Sequence, residues 1–126
     1  MTPHKPKKYD ALKEKSMNMA VRMVNLCRHL QAEHKEYIMS KQIMRSGTNP
    51  GAMVREARNA ESDADYIHKL SIGQKETAET QYWLELLLKT NYINEKQYNS
   101  LNSDVIEVMK LIRSSILNKK NSIKNI

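Results

Sequence analysis

The sequence predicts an all-α protein, and more specifically an antiparallel, up-down four-helix bundle. Gly and Pro number only three each in 126 residues, whereas good helix formers such as Leu, Met, Lys and Glu are abundant. Runs of β-branched residues that alternate with polar ones, which would indicate strands, are absent. Apolar residues recur instead at helical spacing in four segments joined by short links, and this pattern is typical of a single-domain bundle.

Positive charge is concentrated at the two ends of the chain. We expect a disordered basic arm at residues 1–9, the bundle at residues 10–118 and a basic tail at residues 119–126. The formal net charge is +7, and three lysines in each end account for six of these charges. Two interpretations stay open at this point: the charge serves solubility, or it contacts a polyanion.

Signals for export or membrane insertion are missing from the sequence. The basic N-terminus lacks the apolar stretch of a signal peptide, and no apolar run approaches the roughly 18 residues that a membrane span needs. Cys27 is the only cysteine, so an internal disulfide is impossible, in agreement with a reducing compartment. We expect a cytoplasmic protein with no membrane contact.

The first helix is predicted from about Ala11 to about His34, with Asp10 as a possible N-cap. Its core stripe consists of the apolar residues that share one face: Leu12, Met19, Ala20, Met23, Cys27 and Leu30. Met17, Val21 and Val24 form a second apolar line, roughly 100–160° away around the helix axis. A separate apolar line predicts contact with a neighbouring chain.

The second helix is predicted from about Ile38 to Asn59, with Ile43, Val54 and Ala57 facing inward. The segment SGTNPG at positions 46–51 interrupts its pattern. Because Pro50 lacks a backbone N–H and clashes with the preceding turn, we expect a bend or a short break near Thr48 and Asn49.

The third helix is predicted between Ser62, its N-cap, and Thr90. Apolar residues surround its axis near the C-terminal end, so a small bundle cannot cover all of them. We therefore place Trp83 and Leu87 in an interface between chains. The apolar face toward the bundle is predicted to consist of Ile67, Leu70, Ala78 and Leu88.

The fourth helix is predicted to begin at Asn94, where Gln97 gives the spacing of a capping box. We expect it to end near Asn118. Its core stripe comprises Tyr98, Leu101, Val105, Val108, Met109, Ile112 and Ile116.

Basic side chains on the first two helices form a candidate nucleic-acid surface. Three of them share one side of the second helix within about 80°, provided that this helix is continuous. Lysines and arginines arrayed on helices neutralise phosphates without reading bases. The alternative is a solvated face with local ion pairs. The predicted set is Arg22, Arg28, Lys41, Arg45, Arg55 and Arg58.

Residues for catalysis or metal binding are not apparent. A bundle that holds two metal ions needs two acidic-x-x-His motifs, and the chain has one, at Asp65 and His68. Cys27 lies on a core stripe, where a small buried residue is the usual explanation. We predict no catalytic residue, no metal and no cofactor, and hence no enzyme; a metal-dependent bundle enzyme is kept only as a third hypothesis.

The segment from Gln42 to Ile93 resembles the family of four helix bundle proteins that is also called the 23S ribosomal RNA intervening-sequence protein family. The resemblance is carried by the pattern RSGT…REA…AES-x-x-DYIHKLSI…KE-x-x-ET-x-YWL-x-LL and covers nearly all of residues 10–118. It implies a short bacterial protein that forms a left-handed antiparallel bundle and assembles as a homopentamer. The family is distantly similar to the accessory protein of diversity-generating retroelements, a basic pentamer that binds nucleic acid.

The sequence thus leads to two hypotheses on function. The first is a non-enzymatic bundle that self-associates, as a pentamer, and binds RNA or DNA non-specifically through a basic surface. The alternative is an adaptor that binds a protein partner, such as a polymerase or a ribosome-associated factor, without touching nucleic acid.

Overall fold

The computed structural model of the chain describes residues 9–124, which form four helices and no strand. Helix α1 spans Ala11–His34, α2 spans Ile38–Arg58, α3 spans Asp63–Lys89 and α4 spans Glu95–Lys124. The predicted all-α, four-helix fold is confirmed. Within this part of the chain, no helix is long and apolar enough to cross a membrane.

The helices form a four-cornered bundle in which each helix packs against two others. The packed pairs are α1–α2, α2–α3, α3–α4 and α4–α1, whereas no two Cα atoms of the diagonal pairs α1–α3 and α2–α4 lie within 8 Å of each other. Early residues of one helix meet late residues of its neighbour. In the α1–α2 pair, for example, Asp10 bonds Arg58 while Gln31 bonds Ser40. Neighbouring helices therefore run in opposite directions.

Three helices begin at the predicted capping residues. The Asp10 carboxylate accepts a hydrogen bond from the Lys13 backbone N–H at 3.1 Å, and the Ser62 hydroxyl accepts one from Asp65 at 3.0 Å. Asn94 and Gln97 exchange side chain-to-backbone bonds of 2.8 and 2.9 Å, which is a capping box. These bonds satisfy N–H groups that have no partner within a helix.

Helix α2 continues through Pro50 without interruption, so the predicted short break is wrong; a bend there stays a prediction. Pro50 is buried and lies against Gly73 of α3, where an added Cβ would stand 3.8 Å from the proline Cα. Thr48 Oγ1 donates to the Met44 carbonyl at 2.6 Å. Tertiary packing on both sides of α2 outweighs the local cost of the proline.

The face of α3 that enters the core differs from the prediction. Ala78 is exposed, and small or hydroxylated residues occupy core positions instead. The hydroxyls of Thr77 and Thr80 keep a hydrogen-bond partner when they are buried, because each donates to the backbone carbonyl four residues earlier, at 2.7 and 2.9 Å. The buried positions alternate at spacings of three and four: Leu70, Gly73, Thr77, Thr80, Leu84 and Leu87.

The predicted basic segments at the two ends of the chain can be compared with the structure only in part. Residues 119–124 continue α4, so the predicted tail is wrong for these residues. Lys119 Nζ lies 3.4 Å from the Asp63 carboxylate and 4.7 Å from the Tyr66 ring centroid, and these contacts hold the last turns against α3. Residues 1–8 of the predicted arm and the final residues 125–126 lie outside the described part of the chain.

Replacement of Gly47 by Ala should destabilise the bundle by about 1–3 kcal/mol, because the new Cβ would overpack the core. This Cβ would stand only 2.6 Å from Met23 Cγ. Gly51→Ala is the matched control: its Cβ would stand 3.4 Å from the Ser16 carbonyl oxygen, and Ala favours the helix. We expect Gly51→Ala to lie within about 1 kcal/mol of wild type. Urea unfolding measures both; equal stabilities of the two variants would contradict the close approach of α1 and α2.

Asp10→Ala should cost about 1–2 kcal/mol at pH 7, because it removes both an N-cap and an ion pair. Asp10→Asn keeps a capping oxygen and should cost less stability than Asp10→Ala.

The hydrogen bond from Arg58 holds the pKa of Asp10 at about 2, below its ordinary 3.8. The charge of Asp10 therefore contributes stability above pH 4 that is lost between pH 4 and pH 2. Unfolding curves across this range should show wild type and Asp10→Asn converging as the pH falls; a constant gap would contradict the assignment.

Candidate functional site

The residues predicted to contact a neighbouring chain divide into exposed and buried ones. Met17 and Val21 on α1 have 47% and 51% of their surface exposed, and Val24 beside them is half-buried. Leu87, by contrast, is fully buried among the core residues of its own chain. Its predicted place in an interface is wrong, because no surface of Leu87 is left for a second chain.

Trp83 occupies an intermediate position at the surface of α3. Its side chain packs partly against the core, and its indole meets the Tyr82 ring edge-on with the centroids 5.0 Å apart. Within residues 9–124 the Trp83 Nε1 is buried and finds no hydrogen-bond acceptor. Tyr82 itself is 57% exposed, so this aromatic pair presents a large apolar surface on α3.

Three of the six predicted nucleic-acid residues are held by acids of the same chain. Arg22 donates to Asp104 at 2.8 Å and to the Ser100 hydroxyl at 2.9 Å. Arg45 donates to Glu76 at 2.7 Å and also to Glu79.

Arg58 forms two hydrogen bonds with the Asp10 carboxylate, at 2.8 and 2.9 Å. The bond to Asp10 raises the pKa of Arg58, just as the bond to Glu79 raises that of Arg45. Arg22, Arg45 and Arg58 thus join helices, and their charges are largely neutralised.

The other three predicted residues, Arg28, Lys41 and Arg55, are exposed and form no ion pair within residues 9–124. Arg55 lines a surface hollow of about 410 Å³ together with Met17 and Lys13. Part of the predicted basic set therefore borders the exposed apolar residues of α1.

A second group of basic residues escaped the sequence prediction. The outward side of α4 carries six exposed residues at spacings of four and three: Ile106, Lys110, Arg113, Leu117, Lys120 and Lys124. We call this group the α4 row. Its signal was present in the sequence as a basic stripe at helical spacing beside the core stripe, but the expected tail beginning at residue 119 divided it.

The structure also contains an open groove between α1 and α4, with a volume of about 490 Å³. Its floor is formed by Leu26, Ile93 and Leu101, and His29 and Lys96 stand among the polar residues that line it. The size lies in the range of small-molecule pockets.

Cys27 is unsuited to nucleophilic chemistry. Burial raises the pKa of its thiol to about 11, and Sγ donates to the Ser40 carbonyl at 3.0 Å. A thiol that stays protonated at neutral pH is a poor nucleophile. Among residues 9–124, no group of three or more His, Cys, Asp or Glu side chains is placed to hold a metal ion.

Comparison with known proteins places this fold in a family. The family model of the 23S rRNA-intervening sequence protein matches residues 9–114. The chain belongs to the 23S rRNA-intervening sequence protein family. The predicted resemblance is thereby confirmed.

One solved structure similar to this family member comes from Bacteroides thetaiotaomicron VPI-5482. It is the crystal structure of a protein with unknown function from the S23 ribosomal protein family. The two chains share 55% identity and a TM-score of 0.82, over 83% of this chain and 94% of the other. Among curated proteins, none matches the chain. Neither the family description nor that structure indicates a catalytic activity.

Proposed function

We propose that this family member is a non-enzymatic bundle that assembles into a ring of identical subunits and binds RNA or DNA without base specificity. The number of subunits, five, is taken from the family resemblance. The observation that carries the proposal is the exposure of large apolar side chains on α1 and α3. Met17 and Val21 lie on α1 and Tyr82 lies on α3, and these helices are diagonal corners of the bundle.

The diagonal placement supports a ring rather than a simple dimer. A two-fold dimer pairs one surface with its own copy and would leave the opposite apolar surface uncovered. Head-to-tail contact, in which α1 of one copy meets α3 of the next, covers both surfaces in every subunit. Such contacts form a ring when the rotation between subunits closes.

Charge supports the nucleic-acid part of the proposal. The net charge is +7, and this sum already includes the acids that pair with three of the arginines. Exposed lysines and arginines without a carboxylate partner attract phosphates and release counterions. No base-reading motif accompanies them, so binding through the backbone is expected, with a strong dependence on salt.

Assembly should appear as a mass several times the 14.7 kDa of one chain in sedimentation at micromolar concentration. The double variant Met17→Glu/Val21→Glu should sediment as a smaller species, because a carboxylate buried in an interface without a partner costs several kcal/mol. Ile106→Glu/Leu117→Glu is the control, since it changes two exposed apolar residues on α4 and should keep the wild-type mass. A monomeric wild type would contradict the proposal.

A mixing experiment tests whether the contact is head-to-tail. Tyr82→Glu should also fail to form the full assembly, because it changes the α3 side of the contact. When this variant is mixed with Met17→Glu/Val21→Glu, the intact α3 of one should meet the intact α1 of the other. The mixture should contain 1:1 pairs that neither variant forms alone; their absence would contradict the pairing of α1 with α3.

Nucleic-acid binding should be detectable by fluorescence anisotropy with a labelled RNA duplex and a single strand at 50 mM KCl. If about four phosphates are contacted per subunit, affinity for the duplex should fall roughly 100-fold by 200 mM KCl. Changes of base sequence should have little effect. No binding at 50 mM KCl to either probe would reject the nucleic-acid part and leave the assembly part standing.

One observation favours the adaptor alternative. Tyr37 and Ile38, at the link between α1 and α2, are 50% and 81% exposed. They line a hollow of about 430 Å³ with Met39 and Tyr92, at an end of the bundle that side-by-side assembly leaves open. A protein partner retained from a nuclease-treated lysate by wild type and lost by Ile38→Glu would support this alternative.

A further inference from the structure

We infer that the outward side of α4 is the surface that meets the nucleic-acid backbone. The inference rests on the proposed function for the binding itself and adds its location. The α4 row contains four basic residues, two apolar residues and no acid, and all six residues are exposed. In the basic set predicted on α1 and α2, by contrast, three of the six residues form ion pairs with acids of the same chain.

The row has a geometry suited to a repeating polyanion. Spacings of four and three residues keep its members on one side of a helix. From Lys110 to Lys124 the helix rises about 21 Å at 1.5 Å per residue. Over that length each strand of a duplex presents roughly six phosphates, at about 3.4 Å of axial rise each. Four cations on a straight rod therefore face several phosphates at once.

The cations of the row are available to a ligand. Within residues 9–124, none of the four makes an ion pair. The acids of α4 nearest in sequence, Asp104 and Glu107, are turned toward α1, where they meet Arg22 and Lys15. Those carboxylates thus neutralise α1 rather than the row.

Charge and composition favour nucleic acid over a membrane surface. An interfacial helix buries a broad apolar face among lipids, whereas the apolar face of α4 is already packed in the bundle core. Ile106 and Leu117 are the two apolar members of the row. Contacts between subunits through α1 and α3 would leave α4 uncovered, so each copy in a ring presents one row.

The test compares two variants of equal net charge in the full-length chain. The row variant carries Lys110→Gln, Arg113→Gln, Lys120→Gln and Lys124→Gln. The control carries Lys35→Gln, Lys75→Gln, Lys89→Gln and Lys96→Gln, at exposed positions without ion pairs in the described part of the chain. Circular dichroism and sedimentation verify that both keep the fold and mass of wild type. Anisotropy with a 30-base-pair RNA duplex, from 50 to 200 mM KCl, measures binding.

The row variant should bind about tenfold or more weakly at 50 mM KCl, and its plot of log affinity against log salt should be shallower by roughly three to four. The control should weaken binding less than about threefold, because it lowers only the overall positive potential of the protein and removes no cation of the row. Equal losses in the two variants, or wild-type binding by the row variant, would overturn the inference. So would a row variant that loses binding only to vesicles of phosphatidylserine. Absence of binding by wild type would instead reject the proposed function.

Discussion

The close approach of α2 to both of its neighbours is the constraint on which the bundle depends. Gly47 lies directly beneath Met23 of α1, Gly51 lies beside Ser16, and Pro50 faces Gly73 of α3. Where two helices meet through small residues, their backbones approach closely, and the atoms on both sides make favourable dispersion contacts. We call this line of close approach between α2 and its two neighbours the seam. A side chain at Gly47 would push α1 away, because an added Cβ there would stand 2.6 Å from Met23 Cγ.

This packing also determines what the bundle leaves outside. Large apolar residues remain exposed on all four helices: Met17 and Val21 on α1, Ile38 on α2, Tyr82 on α3, and Ile106, Leu117 and Ile123 on α4. Polar atoms buried in the seam are satisfied locally; Thr80, for example, also bonds the Ser46 hydroxyl at 3.0 Å. Apart from Trp83 Nε1, the buried side-chain nitrogen and oxygen atoms of the described residues find partners within the chain, and the exposed apolar groups are surplus to this interior. The part of this surplus that lies on α1 and α3 is what supports the proposed assembly.

Basic residues serve two purposes in this structure. Those that lie between helices, such as Arg45, become rigid cross-links with fixed carboxylate partners. Exposed cations that form no ion pair within residues 9–124, as in the α4 row, keep their charge available. Position relative to the neighbouring helix, rather than the number of basic residues, decides which purpose each one serves. The same logic separates the proposed assembly surfaces, on α1 and α3, from the proposed polyanion surface, on α4.

The sequence by itself determined the four helices, their capping residues and most of the core stripes, because helix capping and apolar periodicity are local properties. It also carried the family resemblance. Only the tertiary structure decided that Thr77 and Thr80 enter the core while Ala78 does not, since the neighbouring helix selects the buried side of α3. The same is true of Leu87, which is interior, and of Arg22, Arg45 and Arg58, whose partners lie 31 or more residues away. Partners so distant in the chain leave no local signal, because the fold alone brings them together.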